Sequence, residues 1–414
     1  MAAEPEPIPQ PESEDQAPSS VSPPELRLVP PLARQINLFT GEPEIPSSVM
    51  VESFPPGHAE RVLEEGITIV TSPEGIAVHI SGWGAFIGKK SERLVVRKSG
   101  GTKILWQVPL DRIHEVQLSA SGISISSDAL AELADRGVRV SILAFNGRPV
   151  AQLSSPNLTA SVATRRAQLQ AYTNERGLQL AVAMTAGKLL NQARLLKYFA
   201  KNIRASQTEQ FAELGRRIAA MLALRRNILN GKWADLDEAR APVMGLEGTA
   251  ARHYWDAVTL LLEKHAEFPG REHRGASDFV NSLLNYGYGV LYSHIWCAVL
   301  NAGLEPFAGF LHTDRPGKPS LVLDMTEEFR APVVDRTVFA AVRLRQLQPP
   351  ATPGSLEPAA RSALVDQLMR RLESKERFQG GDYQIRSIIQ MQARRVASFL
   401  MGRTDRYQPF RFKW

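Results

Sequence analysis

At 414 residues the chain is long enough for two domains with cores of their own, and 49 Lys plus Arg against 43 Asp plus Glu give a net charge of +6. A single cysteine, Cys297, excludes an intrachain disulfide framework, a Cys-rich zinc site and a cysteine-ligated iron–sulfur cluster. The first residues lack the apolar stretch of a secretory signal, and the longest apolar neighbourhood, Gly289 to Leu311, is broken by Ser293, His294, Asn301 and Glu305, so a soluble cytoplasmic protein is expected.

Residues 1–48 are rich in Pro, Glu and Ser and carry too few apolar side chains to offset the entropy of ordering them, which predicts a disordered tail. The tail is acidic, so the remainder is more basic than the net charge suggests, and a polyanion partner is favoured. From Ile67 to Leu153 short apolar runs alternate with turn residues: Ile67–Val70, Ile76–Ile80, Leu94–Val96, Ile104–Trp106, Val116–Leu118 and Val138–Leu143. Ser99-Gly-Gly-Thr102 reads as a hairpin turn. One helix interrupts them, Ser127–Ala134, capped by Ser126 or Ser127 and closed by Gly137. Residues 49–154 are therefore predicted as a β-rich domain with one short helix.

After Ser154-Ser-Pro-Asn157 the apolar period becomes helical. Helices are expected over Arg165–Thr173, Leu178–Asn202, Thr208–Asn230, Thr249–His265, Phe279–Asn301, Thr326–Leu347, Leu356–Glu373 and Tyr383–Met401. Residues 155–414 thus read as a larger all-α domain, and the fold class as α+β. The longest breaks are Pro269–Ala276, which is basic, and Gln348–Gly354.

Three places carry chemistry. His312 sits beside a Pro/Gly turn, Asp324 and Glu327 follow three residues apart where they share a helix face, and Glu247 stands at an expected helix start followed by small residues. Glu247, His312 and Glu327 together would form a three-point oxygen and nitrogen site suited to Mg²⁺ or Mn²⁺. Each has another reading alone: a capping carboxylate for Glu247, a hydrogen-bonded surface imidazole for His312, and a solvated first-turn pair for Glu327 and Glu328.

Gly84-Ala-Phe-Ile-Gly-Lys-Lys-Ser-Glu-Arg-Leu-Val-Val-Arg97 with Ile104–Leu110, the Glu247-Gly block, and the stretch from Asp278-Phe-Val-Asn281 to Glu327 occur in the order and at the distances of one family. The chain, from about Gly66 to Trp414, resembles the CRISPR-associated spacer-adaptation endonuclease and integrase, the Cas-one family. The resemblance implies that Glu247, His312 and Glu327 are the catalytic metal ligands, with Asp324 either a direct ligand or a carboxylate behind one. It implies joining of the 3′-hydroxyl ends of short foreign DNA to the CRISPR repeat by transesterification, with hydrolysis when water attacks instead. A homodimer formed through the β domain, a small dimeric Cas-two subunit bridging two dimers, and in some systems a separate Cas-four type nuclease are the implied partners.

Arg252, Arg271, Arg274 and Lys318 are candidate DNA contacts, as are Arg165-Arg166 and Arg216-Arg217, although any of them could be a solvated face. Tyr286 and Tyr288 could stack on bases, with core packing the favoured alternative. Asn281 would either support the ligand shell or brace a helix junction. The competing functions are a non-catalytic DNA-binding scaffold of the same fold and an integrase of a mobile element outside CRISPR. In the tail, Gln35-Ile-Asn-Leu-Phe39 resembles the Gln-x-x-Leu-Phe peptide that docks on the replication sliding clamp; the alternative is packing of Leu38 and Phe39 on the β domain.

Overall fold

Period-two alternation decides how the first part of the chain folds. The computed structural model describes residues 59–413 apart from 64–66, 73–74, 81–82, 120–121, 145–148, 154–161, 202–207, 273–277 and 348–355. The expected tail, its Gln35–Phe39 pentad and Arg274 lie outside the described residues. Strands β1 (Ala59–Leu63), β2 (Ile67–Ser72), β3 (Gly75–Ile80), β4 (Ala85–Lys90), β5 (Arg93–Lys98), β6 (Ile104–Pro109), β7 (Ile113–Leu118), β8 (Ser124–Ile125), β9 (Arg139–Leu143) and β10 (Pro149–Leu153) form two sheets. One has the order β1-β2-β3-β7-β9-β10, parallel at β3–β7 and β7–β9 and antiparallel elsewhere; the other has the order β6-β5-β4-β8.

The sheets face each other over a core containing Ile76, Val78, Ile80, Ile87, Leu94, Val96, Val116, Leu118 and Val140. Because successive side chains alternate, the other face of the six-stranded sheet carries Ala77, His79, Glu115, Gln117 and Ser141, all buried. Helix α1 (Ser127–Asp135) forms as expected, with the Ser126 hydroxyl accepting from the Ala129 N–H at 3.3 Å and Gly137 adopting φ +68°.

The helical part comprises α2 (Val162–Ala171), α3 (Glu175–Ala200), α4 (Thr208–Asn230), α5 (Leu236–Leu262), α6 (Phe279–Asn301), α7 (Ser320–Phe329), a π-helical turn (Arg330–Asp335), α8 (Arg336–Arg343), α9 (Pro358–Glu373) and α10 (Ile385–Leu400). It is not all-α. Between α9 and α10 lies a hairpin, β11 (Lys375–Phe378) and β12 (Gly381–Gln384), whose charged residues hid its strand pattern. Helix α5 begins well before the expected Thr249, so Glu247 lies in mid-helix. Asp235 caps it by accepting from the Glu238 N–H at 2.9 Å, and the helix passes through Pro242.

Helix α6 is apolar around much of its circumference and is accordingly central, with Leu283, Leu284, Val290, Leu291 and Ile295 buried. The chain end packs on α3: Asn191 donates to the Phe410 carbonyl at 2.9 Å and accepts from the Phe412 N–H at 3.1 Å. Gly187 permits this approach, since a Cβ there would lie 2.5 Å from Pro409. Both cores belong to one compact unit, Phe54–Trp414. Among the described residues no helix is long and apolar enough to cross a membrane.

Candidate active site

Three helices and one loop bring the candidate residues together. The loop carrying His312 folds back on the start of α7, and Gly309 makes this possible: a Cβ there would sit 2.5 Å from the Ser320 carbonyl carbon. Asp324, 1% exposed, then accepts from the backbone N–H groups of Phe310, Leu311 and His312 at 2.7, 3.0 and 3.1 Å. It also receives the His312 ring at Nδ1, 2.6 Å away. Four donors fill the four lone-pair positions of a carboxylate. Asp324 therefore holds the imidazole, puts its proton on Nδ1 and leaves Nε2 as the acceptor, and it has no lone pair over for an ion.

Glu327 follows one turn later and is half-buried, with its side chain 11% exposed. Its Oε1 accepts from Arg330 at 2.9 Å, and its Oε2 lies 2.6 Å from the ammonium of Lys188 on α3. The same ammonium donates to Glu247 Oε1 at 2.6 Å, so one lysine bridges two carboxylates from different helices. Glu327 Oε2 nevertheless lacks a well-directed hydrogen bond. The contact is a close charge pair and not a directed bond. Burial alone would raise the Glu327 carboxyl, but Arg330 and Lys188 hold it well below the usual carboxylate range. Burial would likewise lower Lys188, and Glu327 and Glu247 override it and raise it.

Lys188, Glu247, His312, Asp324, Glu327 and Arg330 line one cavity of about 270 Å³, together with Trp255 and Met184. Behind it, Arg330 lies 4.1 Å from the Tyr288 ring centroid, and the Tyr288 and Tyr254 hydroxyls both donate to Asp335, the latter at 2.6 Å. The π-helical turn brings Arg330 and Asp335 into this arrangement; such turns recur where a helix must re-aim side chains at a site.

The donor set suits a hard divalent ion: two carboxylates already holding a cation between them, an imidazole with a fixed acceptor nitrogen, and a buried oxygen without a directed bond. Among the described residues, no three His, Cys, Asp or Glu side chains are gathered tightly enough to hold an ion, and the Lys188 ammonium stands between two of the carboxylates.

The remaining candidates divide. Arg252 is exposed on α5 and lies 3.3 Å from the Thr249 hydroxyl. Lys318, on the turn bridged to Arg315, does not line the cavity. Arg271 is no loose loop cation: it donates to Asn281 Oδ1 at 2.9 Å and Asn285 Oδ1 at 2.6 Å and lies over Trp255 and Tyr288. Asn281, fully buried, bonds Arg271, Glu272, Gly270 and Asp278 and none of the three candidate ligands, so it braces the junction into α6. Arg216 and Arg217 pair with Glu213 on their own helix, and Tyr286 is core. The reading of Glu327 and Glu328 as a solvated pair fails: Glu328 is fully buried and accepts from Tyr407, Phe410 and Gln392. Sequence reasoning missed Lys188. Its signal was a single charge within Ala181-Val-Ala-Met-Thr-Ala-Gly-Lys-Leu-Leu190, where a solvated lysine has no place.

The family model for CRISPR associated protein Cas1 matches residues 78–376. A CRISPR-associated endonuclease Cas1 of Archaeoglobus fulgidus is 37% identical over 81% of this chain and 99% of its own length, and one of Francisella tularensis subsp. novicida is 33% identical over 81% and 98%. A Cas4 exonuclease/Cas1 endonuclease fusion of Rhodospirillum rubrum is 33% identical over 78% of this chain and 55% of the fusion. Among solved structures, a casposase bound to integration product shares the fold with a TM-score of 0.67 at 22% identity, covering 80% of this chain and 92% of that one. A chain of a Cas6-RT-Cas1–Cas2 complex does so with a TM-score of 0.65 at 21% identity, over 82% and 36%. With a family model spanning most of its length and relatives of this identity covered end to end, the chain belongs to the CRISPR-associated Cas1 family.

Proposed function

We propose that this Cas1-family chain is a divalent-metal-dependent DNA endonuclease and integrase of CRISPR adaptation, with Glu247, His312 and Glu327 as the metal ligands. The observation that carries the reading is the shared cavity: three donors far apart in sequence line one space, and a buried carboxylate orients the imidazole among them.

Glu247, His312 through Nε2, and Glu327 would hold Mg²⁺ or Mn²⁺, which supplies Lewis acidity at a phosphate oxygen and eases deprotonation of the attacking hydroxyl. The chain's own residues do the rest. Asp324 keeps the Nδ1 proton in place, so that Nε2 stays a lone-pair donor. Arg330, steadied on Tyr288, fixes the Glu327 carboxylate through Oε1. Trp255 and Met184 supply apolar wall, limiting the water that can compete with a DNA 3′-hydroxyl. A 3′-hydroxyl gives strand joining at this site and water gives cleavage.

The chain works, in this reading, as a homodimer bridged by a Cas2-type subunit, with a Cas4-type nuclease in the same pathway. The likeness to a chain of a Cas1–Cas2 complex and the existence of a Cas4/Cas1 fusion support that assignment. The test is integration of a short duplex into a repeat-bearing plasmid by the purified chain and its Cas2-type partner. Joining is expected with Mg²⁺ or Mn²⁺, none with chelator, and none with Glu247→Ala. Undiminished joining in chelator would remove the metal assignment.

A further inference from the structure

Glu247 and Glu327 come from α5 and α7, yet one ammonium from α3 holds both, with Lys188 Nζ 2.6 Å from each carboxylate. Two features separate this arrangement from an ordinary buried ion pair. Glu327 Oε2 is close to the ammonium but makes no well-directed hydrogen bond with it, so that half of the bridge is held by charge alone. Lys188 also lines the cavity alongside the carboxylates and His312. Its flexible four-carbon stem lets the head swing into that space without moving α3. Glu327 keeps its orientation when the ammonium leaves, because Arg330 grips Oε1 at 2.9 Å and is itself stacked on Tyr288.

We infer that Lys188 is a displaceable counter-ion: its ammonium occupies the carboxylate pair until a divalent ion takes those oxygens, and it then turns into the cavity to pair with a phosphate of the bound DNA. The inference rests on the metal reading above. A divalent ion and an ammonium cannot share the same two oxygens, since like charges a few ångströms apart in a partly dry cavity repel strongly. Before DNA arrives, the ammonium loses two carboxylates and gains only water when it moves. With DNA present, a phosphate receives it. Metal and DNA binding are thereby coupled through one side chain, and by linkage each strengthens the other by the same factor.

The experiment measures Mn²⁺ binding to the full-length chain by titration calorimetry and by the spin signal of free Mn²⁺, with and without a short duplex. It compares the natural protein with Lys188→Gln, Lys188→Arg and Glu247→Gln, each checked for fold by circular dichroism. Without DNA, Lys188→Gln should bind Mn²⁺ about tenfold or more tightly than the natural protein, as expected for removing a positive charge within a few ångströms of the ion. Duplex should tighten Mn²⁺ binding by the natural protein more than by Lys188→Gln, in which only direct contact between phosphate and ion remains.

Lys188→Arg keeps the charge, and its planar fork should grip both carboxylates and weaken Mn²⁺ binding; it carries the test if Lys188→Gln does not fold. Equal or weaker Mn²⁺ binding by folded Lys188→Gln, or tighter binding by Lys188→Arg, overturns the inference. If Mn²⁺ binding is lost in Glu247→Gln but unchanged in Lys188→Gln, the metal reading stands and only the role of Lys188 falls. No Mn²⁺ binding by any of the proteins, with or without duplex, brings down both.

Discussion

Two regions of the molecule treat their enclosed ionisable groups differently. In the cavity lined by α3, α5 and α7, Lys188 bridges Glu247 and Glu327 and Arg330 grips Glu327, and for Lys188, Glu327 and Arg330 the pairing outweighs burial. Where the six-stranded sheet meets the helices, burial acts against the charged form of histidines. Burial pushes His79 down to about 4 and His114 down to about 3, the latter helped by Arg386, and burial also lowers His294 on α6. Glu115 is lowered there: burial would raise it, and the neighbouring His294 and Arg139, with His114 and Arg386, more than reverse that. Burial alone thus does not decide charge state. At the junction the low dielectric wins for His294 even with Glu115 3.4 Å away, whereas the cavity is arranged so that opposite charges meet at an opening.

The comparison breaks most sharply in the cavity. Glu247→Ala and His312→Ala should each cut strand joining by at least roughly 10²–10³-fold, the scale of losing one preorganised group at a reacting centre, with little change in thermal unfolding. Asp324→Asn should invert the balance. An amide at that position turns an NH₂ toward donors that now meet a carboxylate, so it should cost about 2–3 kcal/mol of stability. Joining should fall roughly 10–100-fold as the imidazole loses its support. Denaturant unfolding and single-turnover joining on all three variants check this. A stable Asp324→Asn as dead as His312→Ala would make Asp324 a ligand.

At the junction the effect is smaller and depends on pH. His79 titrates near 6.5 when unfolded and at about 4 when folded, so the unfolded chain binds more protons between those values. Its contribution is fully present above pH 6.5 and is lost as pH falls toward 4, up to about 3 kcal/mol. His79→Gln should keep a polar partner for Ser119, which lies 2.7 Å from the ring, and flatten unfolding free energy against pH over that window. An unaltered slope would mean that the junction opens before the imidazole is protonated.

How much of this was legible in the sequence follows from where the information is local. Helices α4 and α6 have the bounds that periodicity predicts, because turn signals stand at both ends of each. The early start of α5 was hidden by Pro242, Gly245 and Gly248, which weaken a helix locally and are tolerated here because Val243, Ala250 and Tyr254 pack into the core. Glu247, His312 and Glu327 were legible as residues, and their meeting was expected from the family pattern. The bridge by Lys188, the four bonds at Asp324 and the buried polar face of the six-stranded sheet come from contacts between distant segments, which periodicity does not encode. His79, Glu115 and Gln117 share a face through the β3–β7 register, and neither that register nor the helices that cover the face are written in local alternation.

The smallest expected effect separates two arginines that look alike in sequence. Arg252 is exposed one turn beyond Glu247 on the helix that forms one wall of the cavity, next to Ala251, which lines it. Arg271 is held by Asn281 and Asn285 and stacked between Trp255 and Tyr288. Only a guanidinium that faces solvent can exchange counterions for a phosphate, so Arg252→Ala should lower the dependence of duplex affinity on salt by about one unit of slope, equally for all sequences. Arg271→Ala should leave the slope alone and instead lower stability, since it strips partners from two asparagines at the entry to α6. Duplex affinity measured at several salt concentrations, alongside denaturant unfolding, distinguishes them. If the slope changes for Arg271→Ala and not for Arg252→Ala, the DNA runs along the start of α6 and not along the outer face of α5, and Arg271 must leave its two asparagines when DNA binds.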